Sequence, residues 1–245
     1  MRRLVPARKV SLLKFASLGF IFVLLSLSAS RPASLTALVG QRSATSNSQP
    51  APRKTSQPYT GDLSIFEYKD RDEKLQVQRV MDILGIKEGS HVADIGAGSG
   101  WFTVRAAKRV GSTGVVYAVD INPESVAYIN RRIQREGIGN VHAILSGEDD
   151  PKLSKDSVDS VLLLKTYHEV AHPVLLLEHL RSSLRSGARV GIIDRNGKGD
   201  DHGISRDVVI QEAAQAGYQL QEQYDFVKGD GEDYFLVFRA NSPPK

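Results

Sequence analysis

The chain of 245 residues contains no cysteine. That excludes disulfides, thiolate metal sites and a cysteine nucleophile, and it leaves the redox compartment open. Acidic residues are missing from the first 60 positions, which carry nine basic side chains: Arg2, Arg3, Arg8, Lys9, Lys14, Arg31, Arg42, Arg53 and Lys54. The formal net charge of +4 therefore comes from that stretch, and the remainder of the chain is net negative. A folded part of that sign argues against a footprint along a phosphate backbone, so no nucleic-acid partner is expected. Internal repeats are absent. Long apolar runs are scarce as well: the strongest, Phe15 to Leu27, is shorter than the roughly 20 residues a membrane-spanning helix wants.

What surrounds that run gives it a meaning. Basic residues precede it and small Ser28-Ala29-Ser30 follows, which is the form of a cleavable export signal over residues 1–30. An uncleaved N-terminal membrane anchor is the alternative, and a mitochondrial transit peptide is a third reading, because the stretch is acid-free and rich in Arg and Ser. The protein is thus expected to be exported (periplasmic or extracellular) or anchored, with a cytosolic location still open and membrane contact only through residues 1–30. Residues 31–60 are dominated by Ser, Thr, Pro, Gln and Ala. Such a composition buries too little surface to offset chain entropy, and it predicts a disordered linker. Residues 61–245 are left for one domain.

In that domain apolar stripes alternate with apolar runs. Val77, Val80, Met81 and Leu84 fall at i, i+3, i+4 and i+7, predicting a helix from Asp72 that Gly85 ends. Strands are predicted at 91–95, 115–119, 141–145, 158–164 and 189–193. Helices are predicted from Trp101, from Pro123 with Asn122 as cap, from Pro173 with Leu176, Leu177, Leu180 and Leu184 inward, and over 205–216. Two last strand-like runs, Tyr218 to Phe226 and Tyr234 to Arg239, flank a Gly- and Asp-rich turn and predict an antiparallel hairpin. The fold class is α/β: a Rossmann-like doubly wound sheet, mostly parallel, with an antiparallel C-terminal strand hairpin.

The strongest local signal is His91-Val92-Ala93-Asp94-Ile95 followed by Gly96-Ala97-Gly98-Ser99-Gly100. A strand that turns through three glycines into a helix suits a nucleotide-like cofactor, because the ligand must touch backbone without meeting a side chain. An ordinary tight turn is the competing reading. In open sheets ligands bind beyond the carboxyl ends of the strands, and these exits gather Asp94, Asp120, Glu148 with Asp149, Lys165 to Glu169, and Asp194. Asp120 is placed to accept both hydroxyls of a ribose. The dinucleotide fingerprint Gly-x-Gly-x-x-Gly is missing, since bulky Trp101 stands where its last glycine belongs.

With those residues in place, the sequence resembles the class I S-adenosylmethionine-dependent methyltransferases over nearly all of residues 72 to 239. Val92 to Gly100 looks like that family's first motif. The resemblance implies that Asp94 and the backbone of Gly96, Ala97, Gly98 and Gly100 hold the methionine end of S-adenosylmethionine, that Asp120 takes the ribose, and that Glu148 or Asp149 meets the adenine amino group. Ile121 and Lys165, beside these positions, complete the candidate cofactor-contact set. Gly147-Glu148-Asp149-Asp150-Pro151 with Tyr167-His168-Glu169 and His172-Pro173 is similar to a bacterial subgroup of small-molecule-type methyltransferases, which implies no particular acceptor. The Asn-Pro-Pro-Tyr run of members that methylate bases or amides is absent.

Methyl transfer from a sulfonium is an in-line displacement, so the protein aligns the nucleophile, excludes water and, where needed, removes a proton. His168 is the candidate base with Tyr167 and Glu169 as helpers; the competing reading is that His168 only packs or hydrogen-bonds its loop. Asp200, Asp201 and His202 are read as a solvated lid with no ligand partner at metal spacing, so no metal is expected. His91, His142 and His179 are read as packing or surface residues. The expected function is methyl transfer to a small-molecule acceptor. A tethered, non-catalytic S-adenosylmethionine-binding module and an NAD-dependent oxidoreductase are the alternatives.

Overall fold

Each predicted strand ends where the sequence turns polar or glycine-rich, and these turns set the architecture of the computed structural model, which describes residues 52–55, 59–198, 202–228 and 231–241. All of them lie in one compact unit spanning residues 48–245. The expected leader at 1–30 and most of the expected linker, together with Asp200, Asp201, Gly229 and Asp230, fall outside the described residues. Among the described residues, no helix is long and apolar enough to cross a membrane.

The strands are β1 (His91–Ile95), β2 (Val115–Asp120), β3 (Val141–Leu145), β4 (Val158–Leu164), β5 (Leu184–Arg195), β6 (Tyr218–Tyr224) and β7 (Asp233–Ala240). They form one sheet in the order β3-β2-β1-β4-β5-β7-β6. β1 to β5 pair in parallel, whereas β7 lies antiparallel between β5 and β6. Winding reverses between β1 and β4, which opens the crevice where such sheets take ligands. The helices are α1 (Arg71–Leu75), α2 (Val77–Ile83), α3 (Trp101–Val110), α4 (Pro123–Glu136), α5 (Pro173–Arg181) and α6 (Arg206–Gln215).

The central strands β1, β2 and β4 carry apolar residues toward both sides because both faces of the sheet are covered. On β4, Leu162 and Leu164 join one core with Met81, Phe102 and Ile129, while Val161 and Leu163 join the other with Leu177, Leu180 and Val209. The period of two along one strand thus feeds two separate layers. Helix punctuation matches the reading at α4: Asn122 Oδ1 accepts from Glu124 N at 2.9 Å, Pro123 opens the helix, and Gly137 closes it at φ +64°.

Four expectations are corrected. The helix predicted from Asp72 to Gly85 is broken at Gln76, whose φ of +49° ends α1 and starts α2. Leu184 is not on the inner face of α5 but is the first residue of β5. β5 is longer than predicted, and a register shift between Val158 and Ser160 lets Leu184 pair with Val158. Beyond β6, Asp225 and Phe226 leave the strand.

Candidate active site

The carboxyl ends of β1, β2 and β4 open into a cavity of about 660 Å3. Its floor is the glycine turn, where Gly96, Gly98 and Gly100 have φ of +71°, +54° and +72°; Gly100, an expected cofactor contact, instead caps α3 against Ile129 and is not part of the cavity wall. Two of these positions differ in what surrounds them. A Cβ at Gly96 would stand 2.2 Å from Thr166 Oγ1, so that glycine lets β4's exit close on β1's. At Gly98 the nearest atom would be Phe66 at 3.9 Å; there the backbone faces open cavity and a ligand can lie against it.

Two carboxylates are fixed around this turn. Asp94 is buried, accepts from Thr103 Oγ1 at 2.6 Å, and is pushed up to a pKa of about 6 by burial, which the Thr103 hydrogen bond partly opposes. Asp120 accepts from Gly98 N at 2.8 Å and from Asn122 N at 2.9 Å. Burial raises its pKa as well, and the backbone donors hold that rise back. Both oxygens are thus oriented by backbone while keeping acceptor capacity toward the cavity.

Of the other expected cofactor contacts, Ala97, Ile121, Glu148 and Lys165 line the cavity. Ile121 is 46% exposed, an apolar surface offered at the cavity edge rather than packed inside. Lys165 Nζ is paired with the buried Asp233. Asp149 is not brought to the cavity: its carbonyl bonds His179 Nδ1 at 2.7 Å on the outer surface.

The three residues of the 3-10 turn Tyr167–Glu169 part company. Tyr167 is fully buried and absent from the cavity wall, and its hydroxyl donates to Glu212 Oε2 at 2.9 Å. The expected helper role at the acceptor is therefore replaced by an anchoring one. Arg53 completes that anchor by donating to both Glu212 oxygens and to the carbonyls of Tyr167 and Val170. This arginine belongs to the stretch expected to be a loose linker, yet its own N–H also donates to Ala171 O at 2.8 Å.

His168 lies in the cavity wall, 4% exposed. Its backbone N–H donates to Asp194 Oδ2 at 3.0 Å, and its ring Nδ1 sits 2.8 Å from Asp194 Oδ1. A carboxylate only accepts, so the neutral ring carries its proton on Nδ1 and presents a lone pair at Nε2. Glu169 Oε1 lies 3.8 Å from that nitrogen. Burial raises the Glu169 pKa, and His168 opposes the rise.

Several contributors carry no motif. Arg71 lines the cavity beside Asp94, with its guanidinium 4.2 Å from the Trp101 ring centroid and its donor on Phe66 O. Tyr59, Leu63 and Phe66 form the rim. Glu67 clasps this rim to the floor: Ser99 Oγ donates to it at 2.7 Å and Arg132 pairs with it. At the start of the domain Ile65-Phe66-Glu67-Tyr68 reads from sequence as a segment to fold over the cofactor or shape the substrate pocket, but no spacing ties it to the glycine turn; the structure brings Ile65 and Phe66 to the cavity. Thr103 and Arg71 were equally invisible, since each acts through side-chain reach across elements.

A doubly wound sheet with a glycine turn at positive φ, an acid on the second strand and a bulky side chain at Trp101 defines a cofactor-binding α/β protein outside the dinucleotide type. The chain belongs to the class I S-adenosylmethionine-dependent methyltransferases: residues 86–228 match the family model described as "Methyltransferase domain". Over 102 residues it is 31% identical to a protein-L-isoaspartate O-methyltransferase of Pyrococcus horikoshii, covering 42% of this chain and 44% of that protein. Over 122 residues it is 29% identical to the ubiquinone/menaquinone biosynthesis C-methyltransferase UbiE of Hydrogenovibrio crunogenus, covering 49% and 48%. The chain spans less than half the length of these two relatives. A crystal structure of a SAM-dependent methyltransferase from Aquifex aeolicus superposes with a TM-score of 0.66 at 26% identity, covering 73% of this chain and 98% of that one.

S-adenosylmethionine is the cofactor of this family, and the residues present fit it. Gly98 leaves backbone open to a ligand, Asp120 keeps lone pairs for ribose hydroxyls, and Asp94 with Arg71 offers one charge of each sign for an amino-acid end.

Proposed function

We propose that this protein transfers a methyl group from S-adenosylmethionine to a small-molecule acceptor held against His168 and Glu169. When bound, the cofactor supplies an electrophilic methyl carbon on sulfur. The chain's own residues bind the nucleoside through Asp120, Ile121 and Glu148, seat the amino-acid end between Asp94 and Arg71, and exclude water beneath the rim of Leu63 and Phe66. His168 Nε2 takes the acceptor's proton, and buried Asp194 stabilises the imidazolium that forms.

The observation that carries this reading is His168 in the cavity wall, its Nδ1 2.8 Å from Asp194, which is buried behind it. Cavity size supports a small acceptor, because about 660 Å3 has to hold cofactor and acceptor together. Incubation of the full chain with methyl-labelled cofactor and a fractionated cell extract tests it. Wild-type protein should label a low-mass fraction, and His168→Gln should slow transfer by about 100-fold or more while keeping its affinity for S-adenosylhomocysteine. Asp120→Ala should weaken that affinity by about tenfold or more, the effect of one charge-assisted hydrogen bond. Ligand binding without label in any fraction would support the non-catalytic module instead, and label confined to protein would overturn the small acceptor.

Residues 1–30 are read as an export signal or anchor and 31–60 as its linker, supported by their basic, apolar and Ser/Pro-rich composition. N-terminal sequencing of fractionated cells checks this: an intact Met1 on soluble cytosolic protein would refute it.

A further inference from the structure

The sequence gives His202 no partner at ligand spacing, but the fold supplies two. His168, Glu169 and His202 each offer one ligand atom, and these atoms lie within 4.8 Å of one another. All three residues line the cavity. The set is two imidazoles and one carboxylate, a donor combination that suits first-row dications such as zinc.

Geometry supports the grouping in three ways. His168 Nε2 and Glu169 Oε1 stand 3.8 Å apart. That is too long for a hydrogen bond, and it is close to the separation of about 3.4 Å between ligands held about 2.1 Å from a tetrahedral centre. Behind His168, Asp194 is fully buried and bonds Nδ1 at 2.8 Å, the outer partner that metal-bound histidines commonly have, and it fixes the lone pair on Nε2. His202 is held at the cavity by its loop ends: Ile204 N donates to Arg195 O at 2.8 Å, and Lys198 bridges Ile204. Its φ is +56°, and its ring meets that of His168 edge-on at 6.0 Å.

We propose that His168 Nε2, Glu169 and His202 form a site for one first-row transition-metal dication, with Asp194 as the positioning residue behind His168. Three protein ligands on one wall leave coordination positions open toward the cavity, as in catalytic rather than structural sites. The acceptor class that completes such a site is an oxygen donor able to bind as an anion, such as an enol, a phenol or a hydroxy acid. This deepens the methyl-transfer reading and rests on it for the acceptor. With the cation bound, His168 Nε2 is a ligand and does not take the proton; the acceptor's hydroxyl loses its proton to solvent and its oxygen binds the cation as the anion.

The test uses full-length protein without a histidine tag, stripped with chelator and titrated with Co2+ by visible absorption and with Zn2+ by calorimetry. One saturable equivalent per chain is expected. His202→Ala, at an exposed position that leaves the core untouched, and Glu169→Gln should each weaken binding by more than about tenfold, and Asp194→Asn by about 10–100-fold. Absence of a saturable equivalent in folded protein, or His202→Ala binding as tightly as wild type, would overturn the site. S-adenosylhomocysteine binding, measured on the same stripped samples, separates the two readings. Loss of metal binding alone removes only the cation site, whereas metal binding without S-adenosylhomocysteine binding removes only the methyl-transfer reading.

Discussion

At the scale of single residues, the most consequential group is Asp94. Burial lifts its pKa from 3.8 to about 6, so in the empty fold the neutral form persists to higher pH than in a free carboxyl group. The stability this contributes is fully present below the unfolded value near 3.8 and is lost as pH rises through about 6. A ligand bearing an ammonium beside Asp94 prefers the ionised form, so binding should release a proton in the same window. The affinity for S-adenosylhomocysteine is expected to rise about tenfold between roughly pH 5 and 7, since each unit below the pKa reduces the ionised fraction about tenfold. Calorimetry in two buffers of different ionisation enthalpy checks this, and Asp94→Asn should flatten the profile. Asp94, Asp120 and the glycines were legible because their roles depend on a short contiguous turn. Tyr167 was not. It follows the strand exit next to His168, but a 3-10 turn sends successive side chains to different sides, one to the core and one to the cavity. Arg71 was hidden for the opposite reason: it reaches the site from a helix whose sequence shows only a buried stripe.

Elements show a similar division. Apolar runs and capping residues located β1 to β5 and α3 to α5, because both-face burial and helix caps leave local marks. What the pattern missed was the break at Gln76 and the early start of β5, both set by long-range contacts: Gln76 Nε2 donates to Phe226 O, and Leu184 pairs with Val158. The knot beneath the 3-10 turn is another such case. Arg53 and Glu212 have side chains only 15% exposed, and together with Tyr167 they tie the segment before the domain to α6 and to the turn that holds His168. Removing the cation would leave Glu212 partly buried without its ion partner and the carbonyls of Tyr167 and Val170 without this donor. Arg53→Ala is therefore expected to destabilise the fold by about 1–3 kcal/mol, below the full effect of a wholly buried pair. That is a fall in Tm of roughly 2–10 °C for a domain of this size. Thermal unfolding of the variant beside Arg53→Lys checks the geometry, since lysine keeps the charge and loses the fork that reaches carboxylate and carbonyls together. An unchanged Tm would show that the knot is a surface contact.

For the whole molecule, the sheet order β3-β2-β1-β4-β5-β7-β6 determines which ends meet, and it places the reversal of winding beside Asp94. Alternation of strands and helices made the α/β class readable, and the glycine-rich turn after β6 marked the reversed β7. The order itself followed only from pairing, which one chain's periodicity does not encode. Such a topology serves mononucleotide and dinucleotide cofactors alike, so discrimination depends on the side chains at the crevice. Here Trp101 stands where the dinucleotide fingerprint has the glycine that lets its helix pack close to the strand, with Arg71 and Arg105 both within 4.2 Å of its ring centroid. The molecule should therefore respond as a unit to one ligand and not to the other. At a hundredfold excess over its dissociation constant, S-adenosylhomocysteine should stabilise the native state by about 2.7 kcal/mol, a rise in Tm of roughly 5–10 °C. NAD at the same concentration should leave Tm unchanged. A thermal scan with both ligands measures this, and a rise with NAD comparable to that with S-adenosylhomocysteine would mean that the Trp101 wall does not select the cofactor.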